Sequence, residues 1–208
     1  MTPATFRKAL EKQYREARPG LLHAVAADVV AFCANRGERI PASKLGRWRT
    51  AVRLVWQADD FSGLVLYRLR MALYDAGIPI LPKLLHFLCI QIWSLRIGDF
   101  VMIEEGVYIP HGQIVMDGIV KVGRGAVLCP WITLGLAQGD IVGPTLAEGV
   151  FVGTGAKLLG GVKIGANANI GANAVVLKDV PAGATAVGVP ARIVTDGPAS
   201  SAPDPIER

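Results

Sequence analysis

Residues 146–180 read LAEGVFVGTGAKLLGGVKIGANANIGANAVVLKDV, and an aliphatic side chain returns at every sixth position of this stretch. The repeating residues are Leu146, Val152, Leu158, Ile164, Ile170 and Val176. A helix turns once in about 3.6 residues, so it cannot keep every sixth residue on one face. A strand with two different faces would repeat every second residue instead. The period therefore predicts a triangular β-helix, in which each hexapeptide forms one flat side and its aliphatic residue points inward.

The same period extends upstream and is broken in two places. It is present at Ile97, Ile103 and Ile109 and, after a shift of one residue, at Val122, Leu128 and Leu134. The span from 97 to 180 corresponds to about four to five coils, whose aliphatic residues stack into ladders between neighbouring coils. The interruptions are residues 110–113 and 136–144. Loops on a regular scaffold often carry function, so these two segments are the first places to look for a site.

The N-terminal half has helical spacing. Apolar residues recur there every three or four positions, which predicts five helices joined by short connections. The first begins near Pro3 and ends at residues 19–20, the second covers residues 22–35, and Ser43 caps the third. The fourth begins at Asp59 and the fifth at Pro82. We expect an α+β chain with a helical domain at residues 1–95 and a β-helix at 96–194. Residues 195–208 contain three prolines and small polar residues, and we expect them to be disordered.

Composition narrows the class of protein. Of the 208 residues 51% are hydrophobic and 19% are charged, which excludes a mainly disordered chain. The mean hydropathy of +0.39 is high, but no run of about 20 apolar residues could form a membrane-spanning helix. With no signal peptide visible, we expect a cytoplasmic protein. The net charge of +5 is uneven, with +7 in residues 1–100 and −2 in residues 101–208.

Two residue classes could have carried a site but favour ordinary roles. Cys33, Cys89 and Cys129 are far apart and odd in number, which favours buried free thiols over disulfides or a zinc site. The basic segment 36–53, with Trp48 and Trp56 near it, favours a solvated helix face whose tryptophans lie in the core. We expect no nucleic-acid partner. Contact with an anionic lipid surface or an acidic substrate stays open.

The hexapeptides and the segment VLKDVPAGATAVGVPAR at 176–192 resemble the hexapeptide-repeat acyltransferases. Within them the chain is most similar to the serine acetyltransferase group. The similarity covers about residues 62–194 and includes YRL at 67–69 and GIP at 77–79. The resemblance implies a left-handed parallel β-helix that forms a homotrimer or a dimer of trimers. It also implies that acetyl-CoA is the acyl donor and binds in the groove between neighbouring subunits.

The resemblance also implies site residues. The catalytic histidine of the family matches His111, and imidazole is a suitable base for a hydroxyl proton near neutral pH. Gly135 matches a position whose backbone N–H could stabilise the oxyanion of the transition state. The matched coenzyme positions are Gly153, Thr154, Ala172, Lys178 and Arg192, of which the two cations could pair with phosphates. We expect no metal site, because His23 and His86 fall on predicted helices and have structural roles there.

Three positions depart from the family's pattern. The aspartate that precedes the catalytic histidine is Pro110 here, and a second histidine is replaced within residues 142–144. The acidic partner of the histidine is replaced by Arg96, so we assign its orienting role to Asp117 rather than Glu105. These changes predict an O-acetyltransferase that acts on a sugar or glycan precursor. The alternatives are a serine O-acetyltransferase of cysteine biosynthesis and a non-catalytic β-helix scaffold.

Overall fold

A computed structural model describes residues 9, 13, 16–57 and 59–194. Most of the predicted first helix and all of the tail at 195–208 lie outside the described residues. Four helices and fourteen strands are present in the described part. The helices are α1 (Leu21–Asn35), α2 (Lys44–Gln57), α3 (Asp59–Asp75) and α4 (Leu81–Trp93). The predicted order of helices followed by a β-helix is confirmed, whereas the division into domains at residues 95 and 96 stays a prediction.

The strands stack into three sheets, which are the three flat sides of a left-handed parallel β-helix. The first sheet contains β1 (Leu95–Ile97), β3 (Ile114–Met116), β6 (Thr133–Gly135), β9 (Lys157–Leu159) and β12 (Val175–Val176). The second contains β2 (Val101–Ile103), β4 (Ile119–Val122), β7 (Val142–Leu146) and β10 (Lys163–Ile164). The third contains β5 (Val127–Leu128), β8 (Phe151–Val152), β11 (Asn169–Ile170), β13 (Thr185–Val187) and β14 (Arg192–Val194). Pairing is parallel throughout, except that β14 runs antiparallel to β13.

The aliphatic ladder lies inside the coils, as the period predicts. Every one of its twelve members has at most 2% of its surface exposed. Burial of one such side chain is worth about 1.5–3 kcal/mol, so the ladder is a main source of stability. Its members are Ile97, Ile103, Ile109, Val122, Leu128, Leu134, Leu146, Val152, Leu158, Ile164, Ile170 and Val176.

The second interruption is shorter than the sequence predicts. The loop ends at residue 141, because Val142 already pairs with Ile119 as the first residue of β7. The register between β4 and β7 then shifts between Ile119 and Lys121. This irregularity lets the strand resume although residues 142–144 lack the aliphatic spacing.

A buried polar cluster joins the helices to the first coil, and nothing in the local sequence pattern indicates it. Asp28 of α1 is fully buried, and its carboxylate pairs with Arg68 of α3 at 3.0 Å. The same carboxylate accepts hydrogen bonds from the backbone N–H groups of Gly106 (2.8 Å) and Val107 (3.2 Å). Burial raises the pKa of Asp28, while Arg68 and the two N–H donors act in the opposite direction.

Three side chains of α3 donate hydrogen bonds to backbone carbonyls at the open end of the solenoid. The Arg68 guanidinium donates to the carbonyls of Ile103 (2.5 Å) and Glu104 (2.6 Å). The Arg70 guanidinium donates to Ile97 (2.7 Å), and the Tyr67 hydroxyl donates to the backbone oxygen of residue 101 (3.0 Å). An edge strand with free carbonyls is a template for unwanted pairing. The helical layer therefore caps this end, and we call Asp28, Tyr67, Arg68 and Arg70 the clamp.

The outer face of α2 corrects the prediction that its tryptophans are core residues. Ser43 caps this helix as expected, since its hydroxyl accepts a hydrogen bond from the Gly46 N–H at 3.0 Å. Trp48 is 38% exposed and Trp56 is 90% exposed, while the buried residues of the helix are Ala51 and Leu54. Helical spacing defines a face but does not say which face turns inward. None of the described helices is long and apolar enough to cross a membrane.

Candidate functional site

His111 lies at a corner of the β-helix. Tyr108 bridges to Val127 in the third sheet, and the first sheet resumes at Ile114. The residues between them turn from one flat side to the next, and the His111 side chain is exposed there. An exposed corner leaves the imidazole accessible to a substrate that approaches from outside the coil.

The turn after His111 is held by the end of helix α4. The N–H groups of Gln113 and Ile114 donate to the carbonyls of Trp93 (3.3 Å) and Ser94 (3.2 Å). A Cβ atom at Gly112 would lie 1.8 Å from the Trp93 carbonyl oxygen, so only glycine fits between the turn and the helix. The backbone of the turn that carries His111 is thus held by two elements, the first coil and α4.

Three of the predicted coenzyme positions share this corner with His111. In the coils beyond it the same corner holds Cys129, then Gly153 and Thr154, then Ala172. The Thr154 carbonyl accepts the Asn173 N–H at 2.8 Å, and a Cβ atom at Gly153 would lie 2.7 Å from the Ala172 nitrogen. Coils stack about 4.8 Å apart, so the three steps from His111 to Ala172 span about 14 Å. We call this column, from His111 to Ala172, the histidine corner.

Arg192 lies beside the far end of the histidine corner. It is exposed and pairs with Val187 where β14 folds back on β13. The preceding Ala191 N–H donates to the Val175 carbonyl at 2.8 Å, just past the turn that contains Ala172. A guanidinium there suits the phosphate groups of a ligand that extends along the column.

Asp117, Gly135 and Lys178 lie at a different corner, between the first and second sheets. Asp117 follows β3 and its N–H donates to Leu134 at 3.0 Å, directly before Gly135. The exposed Lys178 lies between β12 of the first sheet and Val180, which bridges to the second sheet. The first sheet, with strands of two or three residues, therefore separates these positions from the histidine corner of the same chain.

The structure does not bring Asp117 to His111 within one chain. The Asp117 carboxylate instead accepts a hydrogen bond from the N–H of the next residue, Gly118, at 2.8 Å. The other carboxylate considered, Glu105, lies at the corner between the second and third sheets, where its carbonyl accepts the Gly125 N–H. Arg96 is an exposed residue of β1 and pairs with Val115 of β3.

The structure adds two residues to the histidine corner that the sequence did not single out. Cys129 is partly buried and contacts the Thr154 side chain; burial raises the pKa of its thiol, and Thr154 opposes that rise. Trp131 is 59% exposed and adopts a left-handed backbone with φ of 66°. The sequence could have indicated them by their place in the repeat. Cys129 and Trp131 come one and three residues after a ladder residue, where the later coils have glycine or asparagine.

The remaining thiols and histidines lie outside the histidine corner. Cys33 and Cys89 are buried, as predicted, and burial raises the pKa of the Cys89 thiol to about 11. His23 is an exposed residue of α1, and His86 lies on α4. Within the described ranges no group of three or more histidine, cysteine, aspartate or glutamate side chains could hold a metal ion.

Comparison with known proteins identifies the repeat. A protein-family model described as bacterial transferase hexapeptide (six repeats) matches residues 143–178. A serine acetyltransferase of Helicobacter pylori (strain J99) is 38% identical over 153 residues, which cover 70% of this chain and 89% of the relative. One of Synechococcus elongatus is 36% identical over 161 residues. That alignment covers 76% of this chain and 64% of the relative, so the chain spans less than two thirds of its length.

Solved structures extend the likeness to three dimensions. A serine acetyltransferase of Neisseria gonorrhoeae in complex with serine has a TM-score of 0.70 at 27% identity. The match covers 88% of this chain and 73% of that one. A serine acetyltransferase in complex with CoA has a TM-score of 0.70 at 30% identity, with the same coverage of 88% and 73%.

These relatives correct one prediction and confirm others. The predicted sugar or glycan acceptor is wrong, because the matched proteins are serine acetyltransferases and the likeness extends over most of the chain. The predicted enzyme class, an acetyl-CoA-dependent acyltransferase, is confirmed. The resemblance noted in the sequence is likewise confirmed: this chain belongs to the serine acetyltransferase family of hexapeptide-repeat acyltransferases.

Proposed function

We propose that the protein transfers the acetyl group of acetyl-CoA to the hydroxyl of L-serine, with His111 as the general base. The observation that supports this most directly is the histidine corner. It combines an exposed imidazole, on a turn held by Gly112 and α4, with the Gly153, Thr154 and Ala172 positions of a member of the serine acetyltransferase family.

The chemistry asks for one base and a place for the donor. The serine Oγ attacks the thioester carbonyl carbon, and His111 takes the hydroxyl proton as the new C–O bond forms. When the tetrahedral adduct collapses, the C–S bond breaks and the imidazolium returns its proton to the leaving sulfur. The thioester is already activated toward attack, so the serine hydroxyl needs only a base and no metal-bound nucleophile.

The donor fits along the column. With its thioester beside His111, the extended pantetheine arm would run past Cys129, Gly153 and Thr154 toward Ala172, a span of about 14 Å. Arg192 would then meet the phosphate groups. Glycine at 153 lets the neighbouring coils stack closely, since a Cβ atom there would lie 2.7 Å from the Ala172 nitrogen.

A second copy of the chain would account for the residues at the other corner. Asp117, Gly135 and Lys178 lie beyond the first sheet from His111 of their own chain. In the trimer that the resemblance implies, coenzyme binds in the groove between neighbouring subunits. One subunit would supply the histidine corner, and its neighbour would supply the corner with Asp117, Gly135 and Lys178. The trimer, the dimer of trimers and the cytoplasmic location stay predictions.

Serine recognition must use residues other than those of the family's pattern. Pro110 has no charge to meet the amino group, and residues 142–144 have no imidazole. Arg96 is an exposed cation on the first sheet and could pair with the carboxylate of serine. In β1 it pairs with Val115 of the neighbouring strand, which lies four residues after His111.

L-serine is expected to start acetyl-CoA consumption, measured as release of the coenzyme thiol. L-alanine is the matched control, because it has the same amino and carboxylate groups but no hydroxyl to acetylate. We expect a saturable rate with L-serine and only background hydrolysis with L-alanine. Equal rates with the two amino acids would overturn the proposed function.

Alkylation of Cys129 tests the path of the donor separately from turnover. At mildly alkaline pH, iodoacetamide is expected to modify Cys129 before Cys33 and Cys89, because only Cys129 is partly accessible and burial raises the pKa of all three thiols. Saturating acetyl-CoA is expected to slow the reaction of Cys129 several-fold. Peptide mass spectrometry follows all three sites at once. An unchanged Cys129 rate would contradict a donor in this column.

A further inference from the structure

We infer that a cavity between α3, α4 and the first coil is a second small-molecule site, one that binds a small carboxylate with a short apolar body. The cavity has a volume of about 300 Å³, at the small end of ligand pockets. Its lining includes Arg70, Lys83, His86 and Asp99 together with the apolar Ile78, Pro79 and Pro82. None of these is a predicted catalytic or coenzyme residue.

A fixed cation lines this cavity. The Arg70 side chain is only 3% exposed, and its guanidinium donates to the Ile97 carbonyl and pairs with the Asp99 carboxylate. Guanidinium has five N–H donors, and these two contacts use two of them. Asp99 is 51% exposed, so it only partly compensates the buried charge. The Arg70 charge is thus held in place before any ligand arrives, and the cost of ordering it is already met by folding.

Two further nitrogen-bearing side chains, His86 and Lys83, line the same cavity. The Nδ1 atom of His86 is buried and has no hydrogen-bond partner within the described residues. Burial, together with nearby Arg70 and Arg96, lowers the pKa of His86, while Asp99 raises it. Lys83 is exposed at the rim, and its ammonium forms no ion pair within the part of the chain that the structure describes.

The lining selects the class of ligand. Two cations, Arg70 and Lys83, and one carboxylate, Asp99, line the cavity. Its net charge is therefore positive, which favours an anionic ligand. Ile78, Pro79 and Pro82 form an apolar wall that a bare inorganic anion would leave uncovered. A carboxylate with a short hydrocarbon body satisfies both sides, and its planar group suits hydrogen bonding to guanidinium. An amino acid could in addition place its ammonium group against the half-exposed Asp99.

The cavity is separate from the histidine corner, but helix α4 connects the two. Asp99 lies between β1 and β2, at the corner between the first and second sheets. Helix α4 begins beside the cavity with Pro82 and ends at Trp93, whose carbonyl contacts the Gly112 turn. A ligand in the cavity therefore touches the helix that positions His111 without occupying the place of either substrate.

Calorimetric titration of the full chain with butyrate, butyramide and L-2-aminobutyrate tests the site. Butyramide has the shape of butyrate without its charge, and we expect it to bind at least about ten-fold more weakly. Lys83→Gln is expected to weaken butyrate binding by a similar factor. Lys44→Gln, which removes an equal charge from the distant helix α2, should leave it unchanged. If L-2-aminobutyrate binds more tightly than butyrate, the natural ligand is an amino acid; the reverse order indicates a simple carboxylic acid.

Histidine ring resonances locate the binding. The chain has three histidines, so ¹³C-histidine labelling resolves the cavity, the histidine corner and a reference on α1. Butyrate is expected to shift the His86 signals in proportion to occupancy and leave those of His23 in place, also in His111→Ala, where the acetyl-transfer site is disabled. A shift of His111 with His86 unmoved would overturn the proposal, as would equal binding of butyrate and butyramide. Absence of saturable binding at millimolar butyrate would overturn it as well.

Discussion

Replacing His111 with alanine is expected to lower kcat for acetyl transfer to L-serine by about 10²- to 10⁴-fold, the usual contribution of a general base. Without the imidazole, the hydroxyl proton has no acceptor as the C–O bond forms. Because the His111 side chain is exposed, its removal leaves no cavity in the coil. The fold should therefore persist, and release of coenzyme thiol under saturating substrates measures the change.

Two controls make this result specific. His23→Ala removes an exposed imidazole from α1 and should keep full turnover. Binding of acetyl-CoA to the His111→Ala protein should remain, because the proposed coenzyme contacts are made by Gly153, Thr154, Ala172 and Arg192. Full turnover in His111→Ala would show that another group takes the proton and would remove the central support for the proposed mechanism.

Replacing Arg68 with alanine is expected to lower the free energy of unfolding by about 3–5 kcal/mol, the cost of leaving one partner of a buried ion pair alone. Asp28 would stay fully buried with its cation gone, and the carbonyls of Ile103 and Glu104 would lose their donor. Denaturant titration at constant protein concentration, followed by tryptophan fluorescence, measures the loss.

The matched control is a surface ion pair of the same chemistry. Arg53 pairs with Glu38, but its side chain is 47% exposed, so Arg53→Ala should cost at most about 1 kcal/mol. Replacing both clamp partners with apolar residues, as in Asp28→Leu with Arg68→Met, should recover part of the stability. A loss for Arg68→Ala no larger than that for Arg53→Ala would mean that the clamp does not stabilise the fold.

The β-helix was predictable because its determinant is periodic. Each member of the ladder, such as Leu158 or Ile170, needs an inward position. Among regular structures, the β-helix is the one that places every sixth residue inside. Helix ends were readable for a local reason, as with the Ser43 cap of α2. The clamp was not readable, since Asp28 and Arg68 are 40 residues apart. Neither residue type is expected in a core without its partner.

The site was predictable only in part: one inference failed, and the assignment of Asp117 stays a prediction that needs a second subunit. Asp117 is six residues from His111, which suggests proximity in a sequence. In a β-helix, however, six residues is the length of one side, so the two residues lie at successive corners. The sugar acceptor was inferred from a few changed positions, including Pro110 and Arg96. Similarity to serine acetyltransferases over 70% or more of the chain outweighs those local departures.

The antiparallel strand β14 has a consequence for self-association. A solenoid with open ends could add the coil of another copy to each end and grow into a fibre. Here β14 reverses direction against β13, so an incoming parallel strand meets the wrong hydrogen-bonding pattern on the third sheet. The clamp blocks the other end by occupying backbone carbonyls. The two devices disfavour the addition of another copy's coil at these edges, which favours association through the sides of the β-helix.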